Sequence, residues 1–299
     1  MASIIRKKSN ILKFVVIDLF LFIITFYFSY GADNLKSIQK NKYIFTFWEP
    51  SNKIPGYIRL CIQTWKKFLP EYNIILMDYK KVKEFLGEYL FRNIICKYMS
   101  FMLQADAIRV ALLQKFGGIW MDADTIITNG DFLKNIENYD LAMIGGKNST
   151  NIGFIYASKN STIINAWLIE IIRRVKKFKQ LFQSAYKNKT VKFNYLGNNI
   201  IDNLLKNDNT SKNFFILDRN KLNVFPEYRL LKNSNLTQKQ RYIKLYFINR
   251  APKILFPIVK GIIMLHNSFT PNKYKNMTEK QFLKEEILLS KYLRKILNK

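Results

Sequence analysis

The chain has 299 residues, enough for one large domain or two small ones with a sizeable buried core. Its hydrophobic fraction of 48% and aromatic fraction of 15% exclude a disordered chain, and its charged fraction of 23% excludes a fibrous one. Lys and Arg outnumber Asp and Glu by 49 to 21, so the formal charge of +28 indicates anionic partners such as nucleic acid, a lipid surface or a phosphate-bearing substrate.

The first predicted element is an apolar segment at 14–30, FVVIDLFLFIITFYFSY. As a helix it would be about 26 Å long, slightly short of a hydrocarbon core of roughly 30 Å. Arg6, Lys7 and Lys8 precede it, and this basic flank favours a cytoplasmic N-terminus. We therefore predict a single-pass or interfacial membrane anchor with its linker at 1–41. The alternative is a first buried helix of the soluble fold.

After the linker, strands alternate with helices. Strands are predicted at 42–48, 73–78, 119–127, 141–144 and 152–156, and helices at 58–68, 80–90, 99–116 and 163–181. The continuous apolar character of the strands is typical of parallel strands with helices on both faces. This order predicts an α/β fold with a nucleotide-binding first half. The two cysteines lack metal-ligand spacing, which excludes a disulfide scaffold and a cysteine zinc site.

The candidate chemistry lies in the stretch 105–127. Asp106 and Arg109 are three residues apart, on one face of a helix and among apolar neighbours. Asp122 and Asp124 follow an apolar strand, and their side chains point to opposite faces unless the chain bends there. Two carboxylates suit Mg²⁺ or Mn²⁺, and open α/β sheets bind ligands at this edge.

Together, Asp106-x-x-Arg109, the run GGIW at 117–120 and Asp122-x-Asp124 resemble the donor-site signature of glycosyltransferase family 32. The segment at 44–78, IFTFWEPSNKIPGYIRLCIQTWKKFLPEYNIILMD, also resembles the start of that family. The resemblance covers residues 43–154 well. It implies a GT-A fold, a mixed, mostly parallel sheet with helices on both sides that binds a nucleotide sugar, such as a UDP-sugar, and a divalent metal.

The resemblance also implies roles by position. Asp124 would ligate Mn²⁺ (or Mg²⁺), and Asp122 would contact the ribose or donor sugar and assist at the metal. Asp106 and Arg109 would hydrogen-bond the donor sugar, and Trp120 would line its pocket. Aromatic contact and a bidentate Arg suit these roles.

Other candidates lie outside this stretch. Trp48, after the first strand, would stack on the base. His266 is the chain's one histidine, either a structural residue or a late metal or diphosphate contact, as the run HNSF at 266–269 partly matches the family. The family's usual Trp is Phe269 here. Within that run, Ser268 would contact substrate.

Several Asn-rich segments have two interpretations. Asn151, Gly153 and the run GNN at 197–199 with Asp202 are either acceptor-side loops, with Asn151 binding substrate, or ordinary turns.

The implied layout is an anchor and linker at 1–41, a GT-A catalytic domain at 42–270 and a basic C-terminal helix at 271–299. The catalytic domain comprises a nucleotide-sugar half at 42–156 and an acceptor half at 157–270. The implied function is metal-dependent sugar transfer, with retention, to a glycan or lipid-linked acceptor in surface polysaccharide or glycolipid synthesis. The catalytic domain would face the cytoplasm in a bacterium and the Golgi lumen in a eukaryote.

Two other classes explain the sequence less well. A nucleic-acid-binding protein would account for the charge and aromatics, but two aspartates ending a buried strand repel phosphate unless a metal lies between them. We therefore predict no nucleic-acid partner. A DxD phosphatase of the haloacid-dehalogenase type has Thr or Val where this chain has Ile126, and it needs a later acidic pair that the sequence lacks.

Two basic segments extend the membrane hypothesis. Residues 171–189 hold seven basic residues and residues 228–264 hold eight, both without an acidic residue. Interspersed apolar residues suit an anionic leaflet, and a solvated face is the alternative.

Deleting residues 1–31 and raising the salt concentration should release the protein from membranes. The deletion removes the predicted anchor, and salt screens the basic segments. Sedimentation of membrane fractions measures the release, with the full-length protein at the same salt concentration as the control. Truncated protein that stayed fully bound at high salt would contradict the electrostatic part of this hypothesis.

Overall fold

The structure, a computed structural model, describes residues 42–146, 149–183, 192, 194–207, 213–250 and 259–298. The predicted anchor at 1–41 lies outside them. Within the described part, no helix has the length and apolar character needed to cross a membrane. The strands are β1 (Tyr43–Phe47), β2 (Asn73–Met77), β3 (Gly118–Met121), β4 (Thr125–Ile127), β5 (Leu141–Gly146), β6 (Ser149–Ala157), β7 (Phe214–Asp218) and β8 (Ile262–Met264).

The helices cover both faces of the sheet and the end of the chain. They are α1 (Gly56–Phe68), α2 (Tyr79–Leu86), α3 (Glu88–Ile94), α4 (Phe101–Phe116), α5 (Thr162–Gln183), α6 (Asn198–Asn207), α7 (Arg219–Leu222), α8 (Pro226–Leu230), α9 (Gln238–Ile243), α10 (Asn272–Lys275), α11 (Glu279–Lys284) and α12 (Leu288–Leu297). A π-helical turn, Lys244–Ile248, continues α9.

Six strands form the central sheet in the order β2-β1-β3-β6-β5-β7. The pairs β1–β2, β1–β3 and β5–β7 are parallel, and β6 is antiparallel to both of its neighbours. The predicted mixed, mostly parallel sheet is therefore confirmed. In such folds, ligands bind beyond the carboxyl ends of the parallel strands, and these ends lie together at one edge of the sheet.

The sheet separates two apolar cores because alternate strand residues point to opposite faces. Ile44 and Ile119 pack on the side of α1, while Phe45 and Trp120 pack on the side of α4 and α5. Both cysteines are free and buried, consistent with the exclusion of a disulfide scaffold.

The helix predicted at 80–90 is instead two helices, α2 and α3. Gly87 separates them with φ of 83°, a conformation that favours glycine, and its N–H donates to Lys83 O at 2.9 Å. Asp78 begins α2 by accepting a hydrogen bond from the N–H of Lys81 at 2.9 Å.

The strand predicted at 119–127 is also interrupted. β3 ends at Met121, and a turn closes where the N–H of Thr125 donates to Asp122 O at 3.0 Å. β4 then pairs with β8 in a separate two-stranded antiparallel sheet. Trp65 of α1 donates to Thr125 O at 2.6 Å and holds β4 in this position. The bend thus falls between the two aspartates of the motif.

Residues 271–299 do not form the single basic helix that was predicted. They contain α10, α11 and α12, and a capping box at Thr278 starts α11. Leu289 and Leu293 of α12 are fully buried in the core on the side of α1. The segment therefore shares a core with α1, because an apolar helix face has to be covered.

Replacing Gly56 with Ala should destabilise the fold by about 1–3 kcal/mol, because the new methyl group has no room. A Cβ at this position would lie 2.4 Å from the backbone nitrogen of Glu279, at the start of α11. Urea unfolding measures the effect, with Arg59→Ala at an exposed position of the same helix as the control. Equal stabilities of the two variants would contradict this close packing.

Candidate active site

A buried ion pair on α4 begins the site. Ser100 caps this helix and Gly117 ends it, which brings Asp106 and Arg109 to the middle of a helix packed against the sheet. Arg109 Nη2 lies 3.0 Å from Asp106 Oδ1, and the two side chains are only 7% and 8% exposed. The pair predicted from the i, i+3 spacing is therefore a buried one, as its apolar neighbours indicate.

Arg109 connects this pair to the end of β3. Its Nη2 lies 3.5 Å from Asp122 Oδ1, and its Nη1 donates to Ile152 O on β6. Its guanidinium carbon stands 5.0 Å from the ring centroid of Trp120, whose Nε1 donates to Asp122 Oδ1 at 2.9 Å. We call Asp106, Arg109, Trp120 and Asp122 the arginine cluster.

Burial sets the protonation of Asp106. The pKa of this carboxyl is raised to about 6, mainly because burial disfavours the charged form; Arg109 opposes the rise and Asp122 adds to it. The guanidinium of Arg109 thus contacts the carboxylates of both Asp106 and Asp122 at a position with little solvent. Asp122, in contrast, is 38% exposed, so a ligand at the edge of the sheet can reach it.

Two glycines make room for these carboxylates. A Cβ on Gly153 would lie 2.7 Å from Asp122 Oδ2, and a Cβ on Gly197 would lie 2.7 Å from Asp106 Oδ2. Gly153 also accepts a hydrogen bond from the N–H of Asp122 at 2.8 Å. The sequence could assign both glycines only to loops. The structure places them against the carboxylates, where no larger residue fits.

Asp124 lies beyond the turn and is held by the segment after β8. Its Oδ2 accepts a hydrogen bond from the N–H of Asn267 at 2.8 Å, and its carbonyl accepts one from Leu265 at 3.0 Å. Burial raises the pKa of Asp124 to about 7, and the nearby Asp122 carboxylate contributes to this rise. The Asn267 N–H and His266 lower the pKa. The two aspartates are therefore close enough to repel each other.

His266, predicted as a further metal ligand, faces other groups. Its Nε2 lies 3.6 Å from Glu227 Oε1 and 3.3 Å from Gln238 Nε2, and its ring stacks on Phe225 at 5.2 Å. Across the described chain, no three His, Cys, Asp or Glu side chains come together as a metal-binding group. His266 is linked to the aspartates through its charge, which lowers the pKa of Asp124.

Trp48 and Ser268 lie near this edge of the sheet without joining the arginine cluster. β1 runs parallel to β3 with Phe45 opposite Trp120, so Trp48 follows β1 beside the end of β3. Ser268 is exposed, next to the residue that binds Asp124.

An open cleft of about 890 Å³ begins at Asn151 and His266. Asn151 Oδ1 accepts the Gly153 N–H at 2.7 Å, which joins the cleft to the arginine cluster. Three cations also line the cleft: Arg219, Arg229 and Lys232. The basic segment predicted at 228–264 includes Arg229 and Lys232, whereas Arg219 lies outside it. Their spacing in the sequence follows no recognisable pattern, because they lie on or just after the short helices α7 and α8.

The chain matches the model of a known protein family. A family model described as "Capsular polysaccharide synthesis protein" matches residues 6–286. A search of curated proteins finds no match.

Among solved structures, the PaToxG glycosyltransferase is 20% identical with a TM-score of 0.35, over 55% of this chain and 68% of that one. The glycosyltransferase GlyE of Streptococcus pneumoniae TIGR4 is 11% identical with a TM-score of 0.36, over 86% and 64%. The chain thus spans less than two thirds of GlyE. A glycosyltransferase involved in glycosylation of the major capsid of PBCV-1 is 15% identical with a TM-score of 0.30, over 61% and 84%.

Arg109→Lys should lower the free energy of unfolding by about 2–4 kcal/mol. Lysine keeps the charge but lacks the planar fork that serves Asp106, Asp122 and the Ile152 carbonyl together. Chemical denaturation measures the loss. The control is Arg173→Lys on α5, an exposed ion pair with Glu170 where the change should cost less than about 0.5 kcal/mol. Similar losses of unfolding free energy at both positions would show that the arginine cluster stabilises the fold no more than an exposed ion pair does.

Proposed function

The chain belongs to the capsular polysaccharide synthesis protein family, and we propose that it acts there as a glycosyltransferase. It would move a sugar from a nucleotide-sugar donor, such as a UDP-sugar, to a glycan or lipid-linked acceptor. The prediction of a glycosyltransferase agrees with this family, which favours it over a nucleic-acid-binding protein and over a DxD phosphatase. The observation that carries the proposal is the arginine cluster, which holds Asp122 at the end of β3 beside Asp124.

The residues of the arginine cluster differ in burial, and this difference indicates different roles. Asp106 and Arg109 are almost fully covered, so we assign them to positioning Asp122 and Trp120 rather than to the direct donor contacts predicted from the resemblance. Asp122 is partly exposed and its Oδ1 is fixed by Trp120, so its orientation is set before a donor arrives. Such preorganisation avoids reorganisation during the reaction. Trp48 at the same edge remains the proposed partner of the base.

Asp122 and Asp124 would hold Mn²⁺ or Mg²⁺. The donor set fits, because these ions take oxygen ligands, often one or two carboxylates completed by substrate phosphate and water. The proximity of the two carboxylates supports it as well, since their mutual repulsion is relieved by a cation. When bound, such an ion stabilises the negative charge that develops on a leaving diphosphate. His266 would stay outside this donor set.

The proposed reaction exchanges one bond for another. The oxygen of an acceptor hydroxyl bonds to the anomeric carbon as the bond from that carbon to the diphosphate oxygen breaks. The electron pair leaves with the nucleoside diphosphate, which takes the hydroxyl proton. We propose retention of configuration without a protein nucleophile, as the resemblance implies. The chain's own residues orient the donor.

We further propose that residues 1–41 associate the enzyme with a membrane. The catalytic domain would then act at the cytoplasmic face in a bacterium, where nucleotide sugars are made, or in the Golgi lumen in a eukaryote. A location beside a lipid surface suits a lipid-linked acceptor.

Asp124→Ala should reduce turnover at least about a hundredfold, the scale expected when transition-state charge loses a principal partner. The measurement is nucleotide release from a panel of UDP- and GDP-sugars with Mn²⁺. Asp131→Ala, at an exposed ion pair with Lys134, is the matched control and should keep full activity. Metal-independent turnover, or an active Asp124→Ala enzyme, would overturn the proposal.

A further inference from the structure

The open cleft carries charge of one sign. Arg219, Arg229 and Lys232 line it, and none of its described lining residues is acidic. Elsewhere on the described surface, cations such as Lys134 and Lys273 pair with carboxylates at 2.7 and 3.2 Å. In the cleft, the polar partner of Arg229 is instead a neutral amide oxygen, at 3.3 Å. Arg229 and Lys232 are exposed and therefore available to an external anion, while the half-buried Arg219 adjoins the Asp218 carboxylate. We call the three of them the cationic wall.

The cationic wall lies away from the two aspartates. Arg219 directly follows β7, and its Nε lies 3.1 Å from where a Cβ on Gly146 would be, at the end of β5. β5 is two strands from β3 in the sheet, and neighbouring strands are spaced by about 4.8 Å. The wall therefore begins about 10 Å from the strand that leads to Asp122. Asn151 and His266 line the cleft on the side of the aspartates, because Asn151 binds Gly153 and His266 precedes Asn267, which binds Asp124.

Open guanidinium and ammonium groups bind phosphate well, because charge-assisted hydrogen bonds to phosphate oxygens are short and strong. Tyr228, 39% exposed, adds an aromatic surface beside the wall. The carboxylates of Asp122 and Asp124 do not line the cleft but lie beyond its Asn151 side, and they repel an anion that has no accompanying cation. A ligand with one anionic group would therefore lie with that group toward the cationic wall.

We propose that the cationic wall binds a phosphate group of the acceptor. The proposal rests on the proposed function, which assigns the donor diphosphate to the carboxylates at the end of β3. An anion held about 10 Å further along the cleft belongs to the other substrate. Its acceptor end would then point toward Asp122 and the anomeric carbon. The acceptor class is thus a phosphate ester, either a lipid-linked diphosphate or a phosphate within the glycan.

The test is calorimetric binding to the full chain at fixed ionic strength. The probes are geranyl diphosphate, glycerol 3-phosphate, neutral methyl glucoside, and UDP with Mn²⁺. The variant is Arg229→Glu with Lys232→Glu, both at exposed positions. The matched control reverses two exposed cations outside the cleft, Lys239→Glu with Lys280→Glu.

We expect both phosphate probes to bind the native chain, and the wall variant to weaken them at least about tenfold. UDP affinity should change less than about twofold, and the control variant should match the native chain. A preference for geranyl diphosphate indicates a lipid-linked acceptor, and equal binding indicates a phosphate in the glycan.

Two results would overturn the proposal. If UDP lost affinity together with the phosphate probes, the wall would serve the donor. If the phosphate probes bound no better than methyl glucoside, the wall would bind no phosphate. Failure of the proposed function has a different signature, because the phosphate probes would still bind while no sugar nucleotide was turned over.

Discussion

The site depends on one buried cation. Arg109 is almost fully covered, yet it contacts two carboxylates, a backbone carbonyl and an indole ring. A buried charge of this kind is tolerated only when its partners are well placed, and removing one partner leaves an uncompensated charge. The surrounding structure meets this requirement through a β3 that ends at Met121 and through glycines where any side chain would displace a carboxylate. The position of Asp122 follows from these constraints.

The antiparallel strand β6 separates the strand before Asp122 from the strands that lead to the cationic wall. It lies between β3 and β5, and its first half supplies the Ile152 carbonyl to Arg109 and the Gly153 carbonyl to Asp122. Asn151, one residue earlier, already faces the cleft. The strands beyond β6 lead to Arg219 and its cationic neighbours. Asp122 therefore follows a strand on one side of β6 and Arg219 follows a strand on the other, which is the arrangement expected if two substrates are to be held in a fixed order.

Local pattern was sufficient to predict the first two strands, the start of β3 and the pair of Asp106 and Arg109, and the family resemblance added Trp120 and Asp122 to them. The run of apolar residues predicted β1, β2 and β3, and the i, i+3 spacing predicted the contact between Asp106 and Arg109. The helix predicted at 80–90 failed for a local reason, the conformation of Gly87, and the other failures depended on long-range contacts. Residues 271–299 form three helices because their apolar residues pack on α1, and β4 leaves the sheet because Trp65 and β8 hold it. The cationic wall lies on two short helices and just after the second, with no periodic signal, so Arg229 and Lys232 were assigned to a basic segment and Arg219 to no site.

The central claim is that the carboxylates at the end of β3 bind the diphosphate of a nucleotide sugar together with a divalent cation. Calorimetric titration of the native chain with UDP, with and without Mn²⁺, tests it most directly. Two repelling carboxylates should exclude the diphosphate until a cation lies between, so we expect affinity at least about tenfold higher with Mn²⁺. Equal affinity in the presence and absence of the metal would contradict the account.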